Sequence, residues 1–296
     1  MHLESFLSYL SLEKNYSTHT VNAYAKDLES FIHFCVDQHE INDIDSVSYS
    51  IIRSWVVHLV DCDIANKSVN RKVASLKAYY KFLQSIGRLE VNPLAKHRAL
   101  KTAKKVQVPF SEVEMDSVLV QIEYPDTFEG VRDQLIIDLL YTTGIRRAEL
   151  IGLKLTDIDL TGSTMKVLGK RNKERIAPLL NGTCRLVSSY LGYRNGLDEI
   201  KDSEYLFLLK SGYKLYETLV YRLINNYLSK VSLKVKKSPH ILRHTFATHL
   251  LNKGADLNSV KELLGHSSLA STQVYTHNSI TELKKVHANA HPRGKK

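Results

Sequence analysis

The chain has 296 residues, with 43% apolar and 24% charged residues and a formal net charge of +10, the composition of a soluble globular protein with room for two ordinary domains. No apolar run approaches the ~20 residues needed to span a bilayer, and the start MHLESFLSYLSLEKNY, with Glu4 and no basic opening, is not a signal peptide. Three scattered cysteines, Cys35, Cys62 and Cys184, exclude a disulfide framework and point to a reducing, cytoplasmic compartment.

The charge is unevenly placed. Residues 1–66 carry 3 Lys/Arg against 10 Asp/Glu, residues 67–105 carry 11 against 1, and residues 106–296 carry 27 against 20. A positive block of this kind attracts polyanions and binds them in a salt-dependent way.

In chain order, helices are predicted over 1–12, 18–37 and 48–62. In the second, Val21, Tyr24, Leu28, Phe31 and Ile32 recur at helical spacing behind a Ser17 or Thr18 cap. A fourth helix, KSVNRKVASLKAYYKFLQ at 67–84, puts Val69, Val73, Leu76, Tyr80 and Leu83 on one stripe. Its basic residues Lys67, Arg71, Lys72, Lys77 and Lys81 make it a DNA-facing candidate. These helices define a domain over 1–90. Residues 91–110, bounded by Pro93 and Pro109 and carrying Lys101, Lys104 and Lys105 with no acid, read as a cationic linker. SEVE at 111–114 is a capping box that opens a second domain over 111–296. There, helices are predicted at 127–142, 146–152, 182–194, 216–230, 240–252, 257–264 and 279–288. STMKVLG and ERIAPL form a hairpin-like strand pair between them. The fold class is mainly α with a small antiparallel sheet, in two domains.

SPHILRHTFATHLL, 238–251, gathers three histidines and an arginine. A helix turns roughly 100° per residue, so His240, Arg243 and His244 share a side while His249 faces away. A metal pair of His240 and His244 lacks the Glu of HExxH and places a guanidinium beside the cation. A phosphate uses the same atoms better. The guanidinium fork matches two oxygens, His adds a donor or acceptor, and a helix starting at Pro239 offers free N–H groups.

Four more stretches matter: YTTGIRRAELIGL with Arg146 and Glu149, GKRNKER with Lys170, LLGHSSL with His266, and TQVYTHNS with Tyr275. Spacing alone leaves Arg146 and Arg147, and Lys170 and Lys173, as rivals. In this order, with HxxR between Lys170 and His266, the chain resembles the tyrosine site-specific recombinases of the phage-integrase family, most closely the Xer type. The resemblance runs from NYSTHTVNAYAKDL to HPRGKK and selects Arg146 and Lys170.

It implies a two-domain clamp on duplex DNA and attack by Tyr275 on a phosphodiester, giving a 3′-phosphotyrosyl link. Arg146, Arg243 and His266 would hold the phosphate. His240 would do likewise or take the phenol proton, Lys170 would protonate the leaving 5′-oxygen, and Glu149 would orient Arg146 or a neighbour. It further implies strand exchange through a Holliday junction without metal or ATP. The partners would be a recombination site held by a homotetramer, or by a heterotetramer with a second recombinase, with a DNA translocase as a possible activator. The segment SITELKKVHANA would be a terminal helix lent to a neighbour. The expected role is chromosome-dimer resolution in a bacterial nucleoid. The alternatives are a compact mobile-element integrase or invertase, and a non-catalytic DNA-binding protein on the same fold.

Overall fold

A computed structural model of the chain describes residues 2–103, 107–169, 173–234, 237–265 and 277–294, without the side chains of 277–279. The chain forms two compact units, Met1–Lys105 and Val106–Lys296.

The first unit is helical. Helix α1 (Leu3–Ser8) runs into a wider turn over Tyr9–Glu13, and is followed by α2 (Thr18–His39), α3 (Tyr49–Asp61) and α4 (Asn66–Ser85). Ser17 caps α2, its hydroxyl accepting from the Thr20 N–H at 3.4 Å. The α4 stripe faces inward as the spacing predicts: Val69, Val73, Leu76, Tyr80 and Leu83 are all buried, packed with Phe6, Leu28, Phe31 and Trp55. Burial of such side chains contributes about 1.5–3 kcal/mol each. The stretch read as a linker is shared between the units. Leu94 is fully buried in the first core, and Asn70 binds both the N–H and the C=O of Leu100. Phe110 belongs to the second core. Apolar side chains and a dedicated asparagine therefore carry the first unit past residue 90.

The second unit is built around α6 (Phe128–Thr143), buried along most of its length and capped by Thr127. Before it, the Ser111/Glu114 capping box opens α5 (Glu112–Asp116), with Ser111 N–H donating to Glu114 at 2.7 Å. Short α7 (Arg147–Gly152) leads to three antiparallel strands in the order β1 (Ile158–Asp159), β2 (Thr164–Leu168), β3 (Glu174–Pro178). Helices α8 (Asn181–Asn195), α9 (Glu217–Val231), α10 (Pro239–Asn252), α11 (Leu257–Leu264) and α12 (His277–Ala290) complete it. The two-residue strand β1 is too short for any sequence period to reveal. Among the described residues, no helix is long and apolar enough to cross a membrane.

The segment expected to be lent to a neighbour lies here on its own unit. His287 is buried with Nε2 donating to Thr142 O at 2.6 Å, Lys284 donates to Gly162 O, and Arg293 pairs with Asp138. His291 packs against the Tyr141 ring, and its Nε2 is buried without a partner. Burial holds His287 down to about 4, and burial together with the neighbouring His287 holds His291 well below the ordinary range. Both histidines therefore fold neutral. The His287 contribution is complete above the unfolded pKa near 6.5 and is lost as pH falls toward 4, and that of His291 has the same sign. For His287 this is about 3 kcal/mol in all, with about 2 kcal/mol gone between pH 7 and pH 5. Thermal unfolding at the two pH values is expected to show a drop of several degrees, smaller in His287→Gln, whose amide still reaches Thr142. An equal drop in both proteins contradicts this assignment.

Candidate active site

Helix α6 closes on Gly144 at φ +61°, where a Cβ would lie 2.4 Å from the Phe246 ring. Only glycine fits that turn. The chain then reverses, so that Arg146 becomes the N-cap of α7. Glu149, one turn on, accepts from the Arg146 N–H at 2.8 Å and from its guanidinium at 2.6 Å. The carboxylate is therefore both a helix cap and a clamp on the side chain it caps. Arg147 lines the same cleft but is paired with Glu217 on α9.

Arg243 reaches the same place from α10 and is 92% buried, at 8% residual exposure. Its Nη1 donates to Gly144 O at 2.5 Å and its Nη2 to Leu264 O at 2.6 Å. Two carbonyls from two different turns thus fix the guanidinium plane and leave its remaining donors for a ligand. Arg146 Nη2 reaches Gly265 O, next to the second of those carbonyls, at 3.5 Å. Burial, and then the nearby Arg146, push Arg243 down to about 10, which leaves it charged at neutral pH. Both arginines line one cleft of about 410 Å³ together with Gln107, Lys237, Ser238 and His240. Pro239 occupies the first turn of α10, and Ser238 puts no side-chain hydrogen bond onto it. The cleft therefore combines three guanidiniums, that of Arg147 being paired with Glu217, with a lysine and the N-terminus of a 14-residue helix, an arrangement suited to a phosphate diester.

His240 is exposed on that first turn and lines the cleft; His244, also exposed, does not line it. His249 is buried, with Nδ1 against the Tyr141 hydroxyl and Nε2 donating to Phe110 O, both at 2.9 Å. It ties the irregular segment that enters the unit to α6 and α10. Lys170, His266 and Tyr275 lie outside the described residues. The hairpin that leads to Lys170 is closed by Gly169 N–H donating to Lys173 O at 2.7 Å.

One site residue carries no signal in the sequence. Arg175 on β3 is buried, donating from both Nη atoms to the two oxygens of Glu149 at 3.1 and 2.8 Å. Burial alone would raise the Glu149 carboxyl. The hydrogen bond and charge of Arg175, followed by the hydrogen bonds of Arg146, hold it below its usual value.

In the first unit, Lys67, Arg71, Lys77, Lys81 and Lys101 are exposed, and Lys72 is largely covered. Arg71 pairs with buried Asp27, and Lys72 approaches the same carboxylate at 3.6 Å. These two cations thus also neutralise an internal acid. Lys104 and Lys105 lie outside the described residues.

Comparison with known proteins adds three kinds of likeness. The Phage integrase family matches residues 112–282, and the N-terminal SAM-like domain of phage integrases matches residues 3–87. Tyrosine recombinase XerC of Chlorobaculum parvum is 37% identical over 315 residues, covering 98% of this chain and 94% of that protein. XerC of Oceanobacillus iheyensis is 38% identical over 296 residues, covering 99% and 96%. Among solved structures, the XerH site-specific recombinase in its post-cleavage complex with palindromic difH has a TM-score of 0.73 at 22% identity. That match covers 97% of this chain and 83% of the other. The Tn1549 transposon integrase in complex with transposon right-end DNA gives 0.68 at 22% identity, over 96% and 98%. At such identities the structural likeness is one of fold.

Proposed function

This chain belongs to the phage integrase family as an Xer-type tyrosine recombinase, and from that premise we propose that it resolves chromosome dimers by cutting and rejoining a DNA site. The observation that carries the reading is the convergence of Arg146 and Arg243 on one cleft at the N-terminus of α10, each held from behind by fixed acceptors. Such preorganised donors act on charge that develops in the transition state, each contributing about 3–4 kcal/mol.

In the proposed reaction the Tyr275 oxygen attacks phosphorus, the bond to the 5′-oxygen breaks, and Lys170 gives that oxygen a proton. Arg146, Arg243 and His266 hold the non-bridging oxygens, and the phenol proton passes to the His240 ring nitrogen at the cleft edge or, where His240 binds the phosphate instead, to water. A 3′-phosphotyrosyl link conserves the bond energy, so a 5′-hydroxyl from another strand reverses the step without ATP. Exposed Lys67, Arg71, Lys77, Lys81 and Lys101, with Lys72, Lys104 and Lys105, are proposed to contact backbone phosphates, which position the duplex without reading its sequence. Four protomers, of this chain alone or with a second recombinase, are proposed to hold two sites and exchange α12. A DNA translocase is a further proposed partner.

The test is a nicked duplex carrying a site selected by binding from random DNA, incubated in EDTA without nucleotide. A covalent protein–DNA adduct is expected. Its absence, or its loss on chelation alone, contradicts the reading.

A further inference from the structure

Arg175 pairs with Val167 across the sheet, between the apolar chains of Met165, Val167 and Ala177, and is 4% exposed. A guanidinium in that position has to be matched by acceptors. Those acceptors all lie on the two turns that carry the phosphate grip. Besides both oxygens of Glu149, its Nε donates to Leu263 O at 3.2 Å, and its Cδ lies where a Cβ on Gly265 would come within 2.8 Å. Glu149 holds Arg146, and the adjoining carbonyls of Leu264 and Gly265 accept from Arg243 and Arg146.

The charges of this cluster matter as much as its geometry. Arg146 and Glu149 alone would form a neutral pair, and an approaching phosphate would compete with a carboxylate for a guanidinium already matched. With Arg175 on the far side of Glu149, the three side chains together keep one net positive charge, and Arg146 faces the cleft with it.

The geometry points to Arg175 as a positioning residue for DNA cleavage: from behind the cleft it offsets Glu149 and fixes the Leu263–Gly265 turn, so that Arg146 and Arg243 present charge to the scissile phosphate. The inference rests on the recombinase reading above. Arg175 makes no contact with the substrate in this role. Because β3 also forms one side of the hairpin leading to Lys170, a single buried side chain ties the base of that hairpin to the phosphate grip.

Single-turnover adduct formation and DNA affinity on the nicked duplex test it. Arg175→Gln is expected to slow cleavage about 30-fold or more while duplex affinity stays within about threefold. Adding Glu149→Gln removes the carboxylate that now cancels Arg146, and the double variant is expected to regain about tenfold. Arg175→Lys keeps the charge without the fork, and is expected to stay within about tenfold of wild type. A role confined to holding the fold predicts no recovery in the double variant. Should Arg175→Gln fail to bind DNA, the double variant and Arg175→Lys decide, since neither leaves a buried Glu149 carboxylate with Arg146 as its one cation. Both are then expected to cleave. An active wild type with Arg175→Gln within threefold of it overturns the inference alone, as does a double variant that binds DNA and is no faster than the single one. A wild type that forms no adduct overturns the recombinase reading and the inference together.

Discussion

Replacement of Tyr275 by Phe is expected to abolish adduct formation, lowering single-turnover cleavage by on the order of 10⁴-fold or more, while leaving duplex affinity unchanged. The substitution removes only the attacking oxygen and leaves the phosphate-binding side chains in place. A phenol with a pKa near 10 is a weak nucleophile at neutral pH. The positive field of Arg146, Arg243 and Lys237 around the cleft favours the phenolate that must form as the proton leaves. Gel shift and denaturing electrophoresis on the same nicked duplex separate the two properties. Unchanged adduct in Tyr275→Phe removes the assignment.

Arg243→Ala carries the second large effect and has two parts. On catalysis, loss of one preorganised donor is expected to slow cleavage by about 10²–10³-fold. On structure, the carbonyls of Gly144 and Leu264 lose their donors, and leaving buried acceptors unpaired costs about 1–3 kcal/mol each. The melting temperature is therefore expected to fall along with the rate, whereas duplex affinity, spread over many phosphates, falls by less than about tenfold. Arg243→Lys restores the charge, but its single nitrogen cannot span two turns as the fork does. Its rate is expected to lie between wild type and Arg243→Ala. Equal rates for Arg243→Ala and wild type contradict a phosphate-binding role, and an unchanged melting temperature contradicts the structural one.

Much of the scaffold is legible in the sequence because its signals are local. The α4 stripe follows helical spacing, and the Ser111/Glu114 box marks the start of α5. The pairing of His240 with Arg243 also follows from spacing, since three residues bring two side chains to one face of α10. What could not be read depends on partners distant in sequence. In Glu174–Pro178 alternation sets Arg175 with Ala177 and Ile176 on the other face, whereas polarity alone turns Ile176 inward and Arg175 to solvent. Glu149, 26 residues earlier, reverses that choice. Likewise Arg71 and Lys72 read as free cations until Asp27 on α2 is brought beside them. The cis packing of α12 depends on Thr142 and Asp138, more than 140 residues away in sequence. His287 and His291 carry no periodic signal that marks them as buried.

The central claim is that a tyrosine of this chain attacks a phosphate gripped by Arg146 and Arg243. Peptide mapping by mass spectrometry of the wild-type adduct, formed on the nicked duplex and trimmed by nuclease, tests it most directly. The account predicts a single modified peptide with the DNA 3′-phosphate esterified to Tyr275, absent when Arg146 and Arg243 are both replaced by Ala. A 5′-phosphate linkage, attachment to any other residue, or an adduct undiminished without the two arginines would contradict it.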